Sequence, residues 1–330
     1  MNKGSILFMA IILSWNFALG QQSMEKVLLN PEEIKTLIEQ GKLREARAQI
    51  LKMPRDFQLS AEAMELSGDV FGGLKLWDSA LVYYEKFKKL APKNAASYFK
   101  YGGALGMMAL SKNKFSALMY LDDIEASFQK AVSVDPTYVA AHWALIEYYL
   151  QVPSIMGGGS DRAMEQADEL FKVSPVDGWM ARARLAEDDE DFERAEQNYI
   201  KANNEGQSLW TYKGIISFYE RQERWDSGFE QLNRAMTKFD DLSLNYQWAK
   251  MSVLSEKYLN EGINYIEQCL GEQVLVPGIP EQWIRLRYAQ LLRKKGQYQR
   301  ALDQVNKALA LKARFEQAKD EKATLMKLLK

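Results

Sequence analysis

The chain of 330 residues has very little of what reactive or cross-linked sites are made from. It holds one cysteine, Cys269, and one histidine, His142. A single cysteine excludes a disulfide within the chain and any thiolate cluster for zinc. A single histidine excludes the usual histidine-rich zinc site, so no metal and no cofactor is expected. No G-x-S-x-G nucleophile elbow occurs, no nucleophile and base are placed together, and no catalytic residue is assigned. Charge of either sign is not in excess: 43 Lys and Arg stand against 44 Asp and Glu, a net charge of −1. That balance provides no overall field to draw in nucleic acid, which is not expected as a partner. Only eight prolines are present, which suits a chain that is mostly helix. After the first 20 residues no apolar run is long enough to span a membrane.

Those first 20 residues stand apart. Lys3 supplies a positive charge, Ile6 to Trp15 is almost wholly apolar, and Ala18-Leu19-Gly20 places small residues before Gln21. This is the pattern of a secretory signal peptide over 1–20, and it predicts export and cleavage.

What fills the rest is a period. Trp77-Asp-Ser-Ala80 with Tyr84 and Phe87 resembles Trp225-Asp-Ser-Gly228 with Leu232 and Ala235. Related segments occur at Leu43-Ala46-Ile50, Phe192-Ala195-Tyr199-Ala202, Leu259-Gly262-Ile266-Cys269 and Tyr298-Ala301-Val305-Ala308. Ile124-Phe128-Ala131 and Ala163-Ala167-Leu170 are weaker copies. The marks fall at 46, 80, 124, 163, 195, 228, 262 and 301, with steps of 34, 44, 39, 32, 33, 34 and 39. Residues at i, i+4 and i+7 line one face of a helix, and a small residue there lets a second helix come close. Twelve residues before most marks lies another small or apolar residue (Gly68, Ala183, Ile216, Ala289), which belongs to a preceding helix. Each unit is therefore a pair of antiparallel helices. Neither helix can bury its stripe alone, so stacked units share a core.

In spacing and in these positions the chain resembles the tetratricopeptide-repeat family over about residues 30 to 313. Pro92, Pro136 and Pro175, each twelve residues after its mark, match the family's helix-ending proline. The first helix of the first repeat is short, around Pro31 to Gln40, and Lys250 occupies a position that is usually small. The resemblance implies an all-α solenoid of about eight repeats, a right-handed superhelix over 21–312, closed by a polar capping helix over 313–330. It implies a non-catalytic scaffold whose first helices line a concave groove for a protein or peptide segment. By register, the groove residues are Phe99, Trp143, Glu147, Met180, Arg184, Trp210, Lys213, Gln247, Met251, Trp283 and Leu286. A small apolar molecule held in that groove is the alternative occupant.

Three other features have plain readings. Pro153-Ser-Ile-Met-Gly-Gly-Gly-Ser-Asp161 lacks the lysine of a phosphate-binding loop and follows a helix, so it reads as a lengthened turn in which Ser160 or Asp161 caps the next helix. Glu187-Asp-Asp-Glu-Asp191 lacks the ligand spacing of a calcium loop and reads as a solvated acidic turn. Arg285, Arg287, Arg293, Lys294, Lys295 and Arg300 read as exposed basic helix faces in the eighth repeat, with a partner patch as the other possibility. The order of Tyr101-Gly-Gly-Ala-Leu-Gly106, the lengthened segment from Ser111 to Ile124, Asp135-Pro136 and the glycine turn is similar to a group of exported bacterial tetratricopeptide proteins. That likeness implies a periplasmic or envelope location and brings no activity with it.

Overall fold

The computed structural model describes residues 30–271, 276 and 278–330; the proposed signal peptide over 1–20 lies outside them. The described residues are helices, turns and loops without a strand. The chain divides into two compact units between Gly158 and Gly159.

In the first unit α1 (Pro31–Glu39) pairs with α2 (Leu43–Lys52), and a four-residue turn, α3 (Arg55–Gln58), leads to α4 (Ala61–Gly73) and α5 (Trp77–Leu90). Next come α6 (Ala95–Ser111), a short α7 (Lys114–Leu118), α8 (Leu121–Val134) and α9 (Val139–Gln151). The second unit opens with α10 (Ser160–Val173). Its pairs are α11 (Pro175–Asp188) with α12 (Phe192–Gly206), α13 (Leu209–Arg221) with α14 (Trp225–Met236), α15 (Leu242–Ser255) with α16 (Leu259–Gln268), and α17 (Glu281–Lys294) with α18 (Tyr298–Leu311). A last helix, α19 (Glu316–Leu328), packs on α17 and α18.

The long steps in the sequence period now have locations. The step of 44 contains α7, the step of 39 after it contains a 3-10 turn at Ser154–Met156, and the final step of 39 places its extra residues between Gln268 and Glu281. Every mark is buried: Ala46, Ala80, Ile124, Ala163, Ala195, Gly228, Gly262 and Ala301. Helix starts follow from local chemistry. Asn30, Ser60, Asn94, Ser174 and Asp241 each accept a backbone N–H with their side-chain oxygen, and Ser208 with Thr211 forms a reciprocal capping box. Pro175 both follows α10 and opens α11 at its first position, where its missing N–H costs nothing.

The glycine turn is structural, with one correction. Gly157 and Gly159 have φ of 91° and 110°, in the region that disfavours side chains. A β-carbon on Gly158 would lie 1.8 Å from the Val152 carbonyl oxygen. The helix that follows begins at Ser160 itself with no side-chain cap, so neither Ser160 nor Asp161 caps it. The glycine backbone occupies the capping position instead.

Successive pairs are also fastened by a recurring polar contact. A tyrosine on the first helix of one pair donates to a glutamate on the second helix of the pair before it. Tyr149 Oη lies 3.0 Å from Glu125 Oε1 and Tyr219 Oη lies 2.7 Å from Glu196 Oε1, while Tyr288 donates to Glu267. Arg224 reinforces the middle contact, with Nη2 2.9 Å from Glu196. Hydrogen bonds from Arg224 hold the Glu196 carboxyl below its usual range, against burial, which acts the other way; Tyr219 helps. His142 and Cys269 are both core residues, as expected. His142 Nε2 lies 2.9 Å from the Pro136 carbonyl, and burial pushes the Cys269 thiol up to about 11.

Two predictions follow from this packing. Gly178 on α11 approaches α10 so closely that a β-carbon would lie 2.5 Å from the Phe171 Cα. Alanine ordinarily strengthens a helix interior by about 1 kcal/mol over glycine, yet Gly178→Ala is expected to destabilise by about 1–3 kcal/mol, because overpacking against backbone outweighs propensity. Denaturant unfolding measures this, and a neutral or stabilised variant contradicts it. Glu196 has a depressed folded pKa, so its contribution is complete above the ordinary carboxylate value near 4.5 and is lost as pH falls through the folded value. Stability should fall on acidification below that point, and Glu196→Gln should flatten this limb in a series of melts against pH.

Candidate functional site

The groove residues named from the sequence separate into core and surface. Met180, Met251 and Leu286 are core: their exposures are 5%, 0% and 1%. This corrects their placement in a groove, and the reason is local. A β-carbon on Gly214 would lie 2.4 Å from Met180 Cε, and one on Gly228 would lie 2.6 Å from Met251 Cε. Each thioether therefore fills the space that a glycine opens on a neighbouring helix. Leu286 lies in the apolar cluster of α17 and α18. Trp283 stacks edge-on against Phe315 at 4.6 Å, and Phe99 packs between Phe128 and Tyr138 at 6.0 and 5.5 Å, so both are half-buried packing residues. Trp143 and Glu147 are half-buried on α9. Trp210 remains an exposed aromatic at 44%.

Arg184, Lys213 and Gln247 line two hollows on either side of α13. The hollow between α11 and α13 includes Arg184, Glu187, Tyr199 and Arg221; the one between α13 and α15 includes Lys213, Gln247 and Lys250. Ser217 on α13 lines both. Charged and polar side chains contribute to the lining of both hollows. An aromatic and methionine-rich surface was the expectation, and it fails here because the apolar members of the set turn inward.

The charges on this face are organised. Glu187, expected in a solvated turn, is 8% exposed at its side chain and is held by three donors. Arg221 reaches it in a fork, Nε to Oε1 at 2.9 Å and Nη2 to Oε2 at 2.6 Å, and Tyr199 Oη lies 2.6 Å from Oε2. Burial, with the carboxylate beside it, pushes the Tyr199 hydroxyl above its usual range. Helices α11, α12 and α13 are thus joined through one carboxylate. The other members of the acidic turn remain exposed. On α15, Lys250 is half-buried and lies 2.5 Å from Glu220, which also accepts from Gln247. Lys213 lies 3.8 Å from Asp241.

The basic eighth repeat is largely committed to internal pairs. Arg285 lies 2.5 Å from Glu281, Arg293 2.5 Å from the buried Glu321 on α19, and Lys294 2.5 Å from Glu256. Arg300 lies 3.6 Å from Glu267 and donates to Tyr288, while Arg287 donates to Gln290. Lys295 is exposed. Among the described residues no group of three His, Cys, Asp or Glu is placed to hold a metal ion, and no helix is long and apolar enough to cross a membrane.

The first unit has a different kind of hollow, of about 370 Å³, between α6, α8 and α9. Its floor is Gly103 and Gly106, and its walls include Met107, Leu110, Ile124 and Phe128, with Glu147 and Gln151 at α9. Glu147 is the groove residue that falls here.

The sequence matches no protein-family model and no curated protein. Solved structures do match in shape. Yeast Tom70 superposes with a TM-score of 0.56 at 15% identity, over 80% of this chain and 56% of that one. A tetratricopeptide repeat protein from Parabacteroides merdae aligns at 14% identity with a TM-score of 0.47, over 81% of this chain and 98% of that one. With the consecutive helix pairs already described, the fold is settled. The chain has the tetratricopeptide-repeat fold. In this tetratricopeptide array the first helices of three pairs carry Arg184, Lys213 and Gln247, which line the hollows beside α13. The short-range period of the sequence could not show the Glu187 junction, because Arg221 lies 34 residues away on another helix.

Arg221→Ala leaves a nearly buried carboxylate with a single tyrosine donor. Arg221 itself is half exposed, which discounts the loss, and the expected cost is about 1–2 kcal/mol. Thermal melts of Arg221→Ala and Arg221→Lys measure it; lysine should recover only part, since it cannot form the fork.

Proposed function

We propose that the chain is an exported, non-catalytic scaffold that binds a protein or peptide segment along the α11–α13–α15 face of its second unit. The observation that carries this reading is the run of two adjoining hollows that share Ser217 and carry charged side chains, with the exposed indole of Trp210 on the same helix as Lys213. Arginine and tryptophan are the residues on which interface energy most often concentrates. Tetratricopeptide-fold neighbours suggest interaction rather than turnover. Export rests on Lys3, the apolar run from Ile6 to Trp15 and the Ala18-Leu19-Gly20 pattern, with a periplasmic or envelope location as its proposed consequence.

Capture of a partner from an envelope extract tests the reading. Full-length mature protein is compared with an Arg184→Ala, Trp210→Ala double variant, both confirmed as folded by circular dichroism. A partner retained by the parent and reduced about tenfold or more in the variant supports the face. Equal recovery places the contact elsewhere.

A second reading is favoured by the apolar hollow of the first unit, which could hold a small apolar molecule. Gly106 has open space where a β-carbon would be, so Gly106→Phe should fill the hollow without disturbing the core. A lipid or metabolite that co-purifies with the parent and is absent from Gly106→Phe, by mass spectrometry of extracts, supports it. Identical extracts contradict it.

A further inference from the structure

We propose that the first unit docks on an anionic lipid surface through the edge formed by two lengthened connections, the one that contains α7 and the glycine turn after α9. The proposal goes beyond the partner-scaffold reading and does not depend on it.

The three most exposed large apolar side chains among the described residues are Ile155, Met119 and Leu110, at 96%, 82% and 73%. Leu110 lies in the last turn of α6, Met119 just after α7, and Ile155 in the 3-10 turn. Leu118 and Met156 beside them are exposed as well. The two connections adjoin: the apolar hollow is lined by Leu110 and Ala117 from the first, and by Gln151 and Val152 where the second begins. Both are closed by hydrogen bonds. The Asn113 side chain accepts from the Ser116 N–H at 3.0 Å and caps α7, and the Met156 and Gly158 N–H groups donate to the Pro153 carbonyl. Ordered turns thus present apolar tips to water, and covering those tips is favourable.

Charge and shape point to lipid as the cover. From Leu105 to Leu121 the only charged residues are Lys112 and Lys114, and from Tyr148 to Ser160 there is none. The acids that follow in sequence, Asp122, Asp123 and Asp161, lie in the first turns of α8 and α10, where the helix dipole offsets part of their charge. Glu147 is half-buried on α9. Aliphatic tips with lysines close by match an acyl layer beneath anionic headgroups. Tyr120, half-buried between Met119 and Leu121, suits the headgroup level, where tyrosine is enriched. Neither stretch holds Trp or Arg, residues that often anchor protein contacts. A rigid partner would also have to fill the hollow between the tips, whereas acyl chains conform to it.

Co-sedimentation of the full-length mature protein with vesicles of about three parts phosphatidylcholine to one part phosphatidylglycerol tests this. The parent should bind, and pure phosphatidylcholine should hold it about tenfold more weakly. A Met119→Ser, Ile155→Ser double variant changes only exposed side chains. Its melting temperature should not move, and its vesicle affinity should fall about tenfold or more. Leu59→Ser, which removes an exposed leucine elsewhere in the unit, should bind as the parent does. So should Gly106→Phe, which fills the hollow and leaves the tips. No binding by the parent, full binding by the double variant, or loss in Leu59→Ser overturns the proposal. Loss in Gly106→Phe assigns the effect to a lipid taken into the hollow and overturns docking by the tips. Equal binding to both compositions overturns the assignment to anionic lipid. A dimer seen by light scattering, or a protein captured from extract, that the double variant loses without any vesicle binding by the parent assigns the tips to a protein contact and overturns the proposal. None of these variants touches Arg184 or Trp210, so this reading and the scaffold reading fail separately.

Discussion

Close approach of one helix to the next is the constraint on which the rest of this structure depends. An isolated helix of ten to fifteen residues is marginal in water, and each helix here has a narrow apolar stripe that only its neighbours can cover. The small residues Ala46, Ala80, Ala163, Ala195 and Ala301, all fully buried, bring backbones together so that larger side chains from adjacent turns interdigitate around them. Stability is therefore shared between neighbours rather than owned by any one helix. It also explains why so much local polarity is tolerated: the core is a thin seam, and most of each helix perimeter faces outward or into a paired contact.

The same constraint shapes the candidate site. A helix face that looks toward the next pair can be either filled or open, and the neighbouring residue decides which. Where glycine stands opposite, at Gly214 and Gly228, a methionine moves in and the face closes. Where serine or a long polar side chain stands opposite, as around Ser217, a hollow remains. Charged side chains on this surface mostly hold one another, so the surface has directional donors in fixed places more than a strong net field.

The repeat period, the helix pairs and the buried positions of Cys269 and His142 were legible in the sequence because they are set by local periodicity. The lengthened turns were legible as irregular steps. What was not legible depended on long separations. Met180 and Lys213 occupy the kind of register position that points toward a groove, yet one is core and the other surface. That outcome turns on a glycine more than 30 residues further along. Glu187 looked like one of five similar acids, and only its distant arginine and tyrosine distinguish it. Arg293 looked free in the sequence because Glu321, its partner, lies 28 residues on in a different helix.

Helix α19 has a consequence for how such a chain behaves in concentrated solution. Stacking in an array is head to tail: the outgoing face of one pair is covered by the incoming face of the next, and the two faces are not alike. A contact of that kind does not close on itself, and between molecules it propagates. In this protein the outgoing face of α18 is covered by Ala318 and Leu325, with Glu321 buried against Arg293. Helix α19 continues the apolar seam on one side and carries charge on the other. The ion pair between Arg293 on α17 and Glu321 on α19 ties this helix to the pair before it across the same seam.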